Sequence, residues 1–214
     1  MRVLLCGFWG DRDIVSKIMS GYVAFYTALG HKVDLEVRSP YKSLLCGYED
    51  RKGAPRRQYD VIHCMSGGSF TALNYLRGGM PTPNKVIFEG GPMLGTKQEA
   101  VNFLNHVGSS FFEPVHWLAV NAVLTPAMYA HHGRWHVRER EYMVETLQVL
   151  PSVLLVNGDR DKFVDKSIIS LVSRMPNVHS ATVPGATHNR IKHNYPQQWE
   201  ELLKSYIHEN IDGT

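Results

Sequence analysis

Six short, largely apolar runs recur along this chain, and most of them are separated by segments with helical periodicity. Runs of this kind are typical of strands that are buried on both faces of a sheet. Their alternation with helices predicts a parallel sheet covered by helices on both faces, with the loops after the strands meeting at one edge. The predicted strands span residues 2–6, 31–37, 59–63, 85–89, 152–157 and 178–183.

Three of these predicted strands are followed by the residue types of a nucleophilic catalytic group. Ser66 follows the third strand, Asp161 the fifth and His188 the sixth. A serine hydroxyl is a poor nucleophile near neutral pH, so it needs a histidine to accept its proton and a carboxylate to hold the imidazolium. We therefore expect the three side chains to form one site, with His193 as the only nearby rival for the base.

The residues two positions either side of Ser66 are both small, in the sequence Cys64-Met65-Ser66-Gly67-Gly68. A nucleophile on a sharp strand-to-helix turn adopts a strained conformation, and bulky flanking side chains would collide with neighbouring backbone. The pattern favours such a turn, although Ser-Gly-Gly is also frequent in ordinary turns.

The acid of the group has four candidates near strand ends: Asp161, Glu89, Asp159 and Asp165. Asp161 is preferred because Gly158 ends its strand and the chain can then turn the side chain towards a histidine. Asp159 is suited to capping the turn and Asp165 to the N-terminus of a helix. Glu89 is the credible substitute.

An oxyanion formed during acyl transfer requires two backbone donors aimed at one point. The N–H of Gly67 is one candidate, and the N–H of Phe8, in the turn Gly7-Phe8-Trp9-Gly10, is the other. The alternative is that the glycine turn only packs Phe8 and Trp9 into the core.

Residues 96–150 lie outside the strand and helix alternation and are rich in aromatic side chains. We predict a helical lid over the serine, with a substrate pocket formed by Trp9, Phe111, Phe112 and Trp117, since lids exclude water and shape pockets. The alternative is that these side chains form the core of additional helices.

Composition limits the other functions. With 214 residues, the chain fits a single domain spanning 1–214. A net charge of only +3, from basic residues that are dispersed except in the stretch 51–57, argues against nucleic-acid binding. The three cysteines are too few and irregular for a disulfide framework or a zinc site, and His132 and His136 lack convincing further ligands, so we expect no metal.

No signal peptide and no apolar stretch long enough to cross a bilayer is evident. The sequence therefore predicts a cytoplasmic protein without a membrane span. Its oligomeric state is left open.

The chain order of serine turn, acid loop and histidine loop resembles that of the α/β-hydrolase fold. More narrowly, residues 7–10, 63–68, 87–89 and 188–196 look like the transmembrane-protein-53 and PaxU-like branch, whose serine turn usually reads Ser-Asn-Gly-Gly. The resemblance implies Ser66, Asp161 and His188 as a triad on a minimal three-layer α/β fold of about six mostly parallel strands.

What the resemblance implies for function is hydrolysis of a carboxylic ester or thioester with an apolar group, through an acyl-serine intermediate and without a cofactor. The alternatives are acyl transfer by the same triad and a catalytically inactive binding or scaffold protein.

Overall fold

A computed structural model describes residues 1–7, 12–37, 54–93, 97–107, 112–124 and 137–209. In these ranges six strands form one sheet in the order β2-β1-β3-β4-β5-β6, and every neighbouring pair is parallel. This confirms the predicted fold class. The strands are β1 (Arg2–Cys6), β2 (Lys32–Glu36), β3 (Val61–Met65), β4 (Lys85–Glu89), β5 (Val153–Gly158) and β6 (Val178–Val183).

Helices cover the sheet on both faces. They are α1 (Arg12–Ala28), α2 (Gly68–Arg77), α3 (Lys97–Val107), α4 (Glu113–Ala119), a π-helical turn (Val120–Leu124), α5 (Val137–Gln148), α6 (Lys166–Val172), α7 (Ile191–Asn194) and α8 (Pro196–His208). Apolar side chains of α1 and α8 pack on one face, and those of α2, α5 and α6 pack on the other. The result is the three-layer arrangement that parallel sheets require, because both of their faces must be buried.

The central strands explain why the sequence shows continuous apolar runs. Every residue of β3 and β4 is buried, whereas β2 and β6, at the two edges of the sheet, are partly exposed. Successive side chains still point to opposite faces. Ile62 and Cys64 contact the α2 layer, while Val61 and Met65 contact the α1 layer.

The strand before the serine ends later than the sequence predicts. β3 runs to Met65 rather than to His63, and the N–H of Ser66 donates to the carbonyl oxygen of Glu89 at 2.9 Å. This bond continues the β3–β4 ladder by one residue. The strand therefore delivers Ser66 directly into the turn before α2.

The segment predicted as a lid contains α3, α4, the π-helical turn and α5, with parts outside the described residues. α3, α4 and the π-helical turn contact one another. The end of α5 belongs to the main core, since Leu147 and the following Leu150 are buried against the sheet. A lid role for the rest of 96–150 stays a prediction.

Across the described ranges, no helix combines the length and apolar character needed to span a membrane.

Candidate active site

Ser66 occupies the turn between β3 and α2. Its φ of +49° lies in the left-handed region, where a residue other than glycine is strained by about 1–3 kcal/mol. Three hydrogen bonds hold the turn. The Ser66 N–H donates to Glu89 O, and the Ser66 carbonyl oxygen accepts from the N–H of Ser69 at 3.0 Å and from its hydroxyl at 2.5 Å. The strained turn predicted from the small flanking residues is present.

Gly68 is required by a close approach of α2 to the end of β1. A Cβ atom at this position would lie 2.1 Å from Cys6 O and 2.7 Å from Gly7 O. On the other side of the turn, Cys64 is fully buried and lies in register with Cys6. Cysteine is therefore accommodated at the first flanking position, whereas only glycine fits at the second.

Asp161 is held in a fixed orientation by the loop after β5. Its Oδ1 accepts the backbone N–H groups of Phe163 at 2.8 Å and Val164 at 3.3 Å. Its Oδ2 lies 2.7 Å from His188 Nδ1, and the residue is only 5% exposed. The carboxylate is thus free to accept from one further donor, and that donor is His188.

His188 lies in the loop after β6 and contacts both other side chains of the predicted group. Its Nε2 lies 2.8 Å from Ser66 Oγ, and its ring stacks on that of Phe163 with 4.4 Å between centroids. With Nδ1 protonated, His188 donates to Asp161 and accepts the Ser66 hydroxyl through Nε2. The structure therefore brings together the serine, histidine and aspartate that the sequence singled out.

The other candidate acids and the rival histidine are engaged elsewhere. Asp159 Oδ1 accepts the N–H of Gly185 at 2.7 Å and so ties the β5 loop to the β6 loop. Asp165 caps α6 by accepting the N–H of Ser167 at 2.9 Å. His193 is exposed and lines the cavity described below.

Glu89 belongs to a buried network beneath the sheet edge. Its carboxylate accepts from the hydroxyl of Tyr22 at 3.0 Å and from the indole N–H of Trp199 at 2.8 Å, and lies 3.4 Å from His63 Nε2. His63 Nδ1 in turn meets the Tyr26 hydroxyl at 2.9 Å. Burial and the nearby Glu89 raise the pKa of Tyr22, which keeps this hydroxyl a donor. Tyr22, Trp199 and His63 thus surround the Glu89 carboxylate.

Gly67 begins the turn into α2 with φ −57° and ψ −15°. Among the hydrogen bonds formed by the described residues, none uses its N–H. This N–H follows the serine directly and lies at a helix N-terminus, where negative charge is favoured. Phe8, the second predicted donor, lies outside the described residues.

Met93 is a site residue that the sequence analysis missed. Its Sδ lies 3.0 Å from Ser66 Oγ, and its N–H donates to Ser69 Oγ at 2.8 Å. The sequence Gly90-Gly91-Pro92 after β4 predicts that the chain turns at the carboxyl end of this strand. Nothing in the sequence indicates that the thioether of Met93, the next residue, points at the serine.

A cavity of about 900 Å³ opens beside His188. Of the described residues, those lining it come from α1, the end of β3, the loops after β5 and β6, and α7: Ile18, Tyr22, Met65, Arg160, Lys162, Phe163, Thr187, His188, Asn189, Arg190, Lys192 and His193. Phe112 and Trp117, two predicted pocket residues, are not in this set, and Phe112 is 53% exposed. Trp9 and Phe111 lie outside the described residues.

Within the part of the chain that the structure describes, no three His, Cys, Asp or Glu side chains are grouped to hold a metal ion. His132 and His136 are not in that part.

Solved structures share this architecture. An esterase of Pyrococcus furiosus, Pf2001, aligns with a TM-score of 0.61 at 14% identity over 96% of this chain and 81% of its own. The esterase RhEst1 of Rhodococcus aligns with 0.57 at 14% over 97% and 90%, and the Bacillus subtilis carboxylesterase CesB with 0.54 at 10% over 96% and 83%.

No protein-family model matches the sequence, and no curated protein sequence does. At identities this low, the structural likeness shows the fold and not the activity. The chain has the α/β-hydrolase fold, with a parallel sheet of six strands within its described residues.

Proposed function

We propose that this protein is a serine hydrolase that cleaves a carboxylic ester or thioester through an acyl-serine intermediate. One observation carries the proposal: His188 bridges Ser66 and Asp161, at 2.8 Å from the hydroxyl oxygen and 2.7 Å from the carboxylate. A largely buried chain of this kind is suited to moving one proton between serine and histidine while the carboxylate stabilises the charge on the imidazole. The esterases that share the fold support the same class of reaction.

The proposed reaction has two halves, acylation and then deacylation of Ser66. Ser66 Oγ attacks the carbonyl carbon of the ester while its proton passes to His188 Nε2, and the imidazolium is held by Asp161. Collapse of the tetrahedral intermediate transfers that proton to the leaving alcohol or thiol and leaves the acyl group on Ser66. Water then attacks the acyl-serine with the same histidine as base, which releases a carboxylic acid and restores the serine.

The negative charge of the intermediate needs donors that are already in position. The Gly67 N–H is suited to this role because it adjoins the nucleophile and carries no other hydrogen bond among the described residues. Phe8 is the proposed second donor, on the sequence alone.

An apolar group in the substrate is supported by the apolar part of the cavity wall. Ile18, Tyr22, Met65 and Phe163 contribute to that wall, and Met65 directly precedes the nucleophile. The lid of residues 96–150 and its aromatic side chains remain part of this proposal. The narrower relationship to the transmembrane-protein-53 and PaxU-like branch is likewise a proposal, which rests on four short segments of sequence.

Reaction with a fluorophosphonate probe tests the proposal directly, because the probe phosphonylates an activated serine and requires no knowledge of the substrate. We expect labelling of the wild-type protein and none of Ser66→Ala. The matched control is Ser173→Ala, because this serine follows the last residue of α6 and its hydroxyl only donates to Ser170 O. Absence of labelling in folded wild-type protein at every pH from about 6 to 9 would favour an inactive binding or scaffold protein.

A series of 4-nitrophenyl esters with increasing chain length then tests the apolar group. The apolar cavity wall predicts that kcat/KM rises beyond the acetyl ester, since each buried methylene contributes about 0.8 kcal/mol. A sharp preference for acetyl would contradict an apolar pocket.

A further inference from the structure

The cavity beside His188 has an unbalanced charge. Four cationic side chains line it, Arg160, Lys162, Arg190 and Lys192, and no acidic side chain does so among the described residues. None of the four forms an ion pair with a described carboxylate. Arg160 and Lys162 also border a neighbouring cavity that Asp159, Asp161 and Asp165 line, so the charge imbalance rests mainly on Arg190 and Lys192.

Lys192 is the least exposed of these cations and is held by aromatic rings rather than by an acid. Its Nζ lies 4.7 Å from the ring centroid of Tyr22 and 5.3 Å from that of Trp199. Burial lowers the pKa of Lys192, and the opposing effects of Glu89 and Glu200 do not cancel it. The ammonium group is therefore partly desolvated and forms no ion pair within the described part of the chain, so an anion in the cavity would stabilise it.

The positions of the cations tie them to the reacting groups. Arg160 and Lys162 flank Asp161 in sequence, and Arg190 follows two residues after His188. Three of the cations are thus carried by the two loops that supply the acid and the base, and Lys192 lies in α7, directly after the second loop. Anything bound to them lies in the cavity that the His188 ring also lines.

We propose that the substrate is an ester or thioester that carries an anionic group, a carboxylate or a phosphate, bound in this cavity chiefly by Lys192 and Arg190. The inference rests on the proposed hydrolase function and deepens it. Guanidinium and ammonium groups bind both anions through charge-assisted hydrogen bonds. The apolar wall formed by Met65 and Phe163 contacts the uncharged part of the same molecule, so the substrate is amphiphilic.

Two pairs of matched substrates test the charge preference. Mono-4-nitrophenyl glutarate and 4-nitrophenyl valerate have acyl groups of similar size and differ in a carboxylate on that acyl limb. Butyryl-coenzyme A and the butyryl thioester of N-acetylcysteamine share the reacting thioester and differ in phosphates on the leaving limb. We expect the anionic member of at least one pair to have a kcat/KM about tenfold higher, as charge-assisted hydrogen bonds allow. The pair that shows this preference identifies the anion and its limb.

Variants connect the preference to the cavity. In the double variant Arg190→Gln/Lys192→Gln, the ratio of kcat/KM for the anionic and neutral members should fall towards one. The control is Arg174→Gln/Lys32→Gln, which removes the same number of positive charges from exposed positions near the amino ends of the strands. Arg174 lies between α6 and β6, and Lys32 begins β2. The control should retain the wild-type ratio.

A second readout applies if neither pair is hydrolysed. Hexanoate should slow fluorophosphonate labelling of Ser66 more than hexanamide does, and the double variant should lose this difference. The anionic-substrate inference is overturned if labelled protein shows no anion preference in turnover or protection, or if the preference survives the double variant. Absence of labelling in folded protein would instead overturn the hydrolase function, and this inference with it.

Discussion

Replacing Gly68 with alanine tests whether the close packing of α2 against β1 positions the nucleophile. The added methyl group would lie 2.1 Å from the carbonyl oxygen of Cys6, where an ordinary contact is at least 3.4 Å. The first turn of α2 must therefore move about 1.3 Å from β1, the difference between these distances. The obstacle is backbone, so no side-chain rotation can relieve it.

This displacement acts on Ser66 because the serine is two residues away in the same turn. Overpacking of this kind lowers the free energy of unfolding by about 1–3 kcal/mol. A misplacement of about 1 Å at a reacting group lowers the rate by about a hundredfold. We therefore expect Gly68→Ala to fold with a reduced melting temperature and to react with the fluorophosphonate probe about a hundredfold more slowly than wild type.

The matched control is Gly79→Ala at the other end of the same helix. Gly79 has a φ of +88°, but an added Cβ would meet nothing within 4 Å. This variant thus carries the strain of a left-handed alanine, about 1–2 kcal/mol, without the clash. If the two variants show equal loss of stability and equal labelling rates, Gly68 does not position the nucleophile.

Three further predictions concern single side chains. Asp161→Asn should keep the fold, because an amide oxygen can still accept the Phe163 N–H, but should lower kcat by about 10³–10⁴-fold; a loss of less than tenfold in ester hydrolysis would contradict its role. Met93→Leu keeps a similar side-chain volume but removes the sulfur atom that can accept the Ser66 hydroxyl. Because thioethers are weak acceptors, the rate of fluorophosphonate labelling should stay the same or rise by up to about threefold. A tenfold fall in that rate would show instead that Met93 assists the nucleophile. Lys85→Met removes an ammonium group that donates to three backbone carbonyl oxygens at the end of α8. The free energy of unfolding, measured in urea, should fall by about 2–4 kcal/mol. An unchanged midpoint of unfolding would refute this.

The fold was predictable because its central strands are buried on both faces. All six predicted strands are present, and none of their ends moves by more than two residues. The lid is harder to predict, because an aromatic side chain that covers a site and one that fills a core have the same sequence signature. Leu147 and Leu150 illustrate this, since both lie in the predicted lid segment and are buried in the main core.

The chain positions of the candidate site were predictable for a different reason. The carboxyl ends of parallel strands share one edge, so residues that follow β3, β5 and β6 converge whatever their separation in sequence. Contacts made by long side chains were not predictable in this way. The Met93 thioether against Ser66 and the Lys192 ammonium over Tyr22 and Trp199 depend on rotamers that the sequence does not fix.

The choice between Asp161 and Glu89 as the acid follows from the alternation of side chains along a strand. Glu89 is the last residue of β4 and shares the parity of Ile87, whose side chain contacts the α1 and α8 layer. Its carboxylate therefore lies on the face of the sheet that α1 and α8 cover, where Tyr22 and Trp199 donate to it. Asp161 lies three residues beyond the end of β5, so no pleat dictates its direction.

The loop around Asp161 instead sets the direction of this carboxylate. The backbone N–H groups of Phe163 and Val164 hold one oxygen and leave the other directed at His188. A carboxylate within a strand thus faces one of the two helical layers. A carboxylate in the loop after a strand that ends at glycine can instead turn towards a histidine at the carboxyl ends of the strands. Glu89→Gln should therefore weaken the buried network around residue 89 and lower the free energy of unfolding. The distance between His188 Nδ1 and Asp161 Oδ2 should stay unchanged.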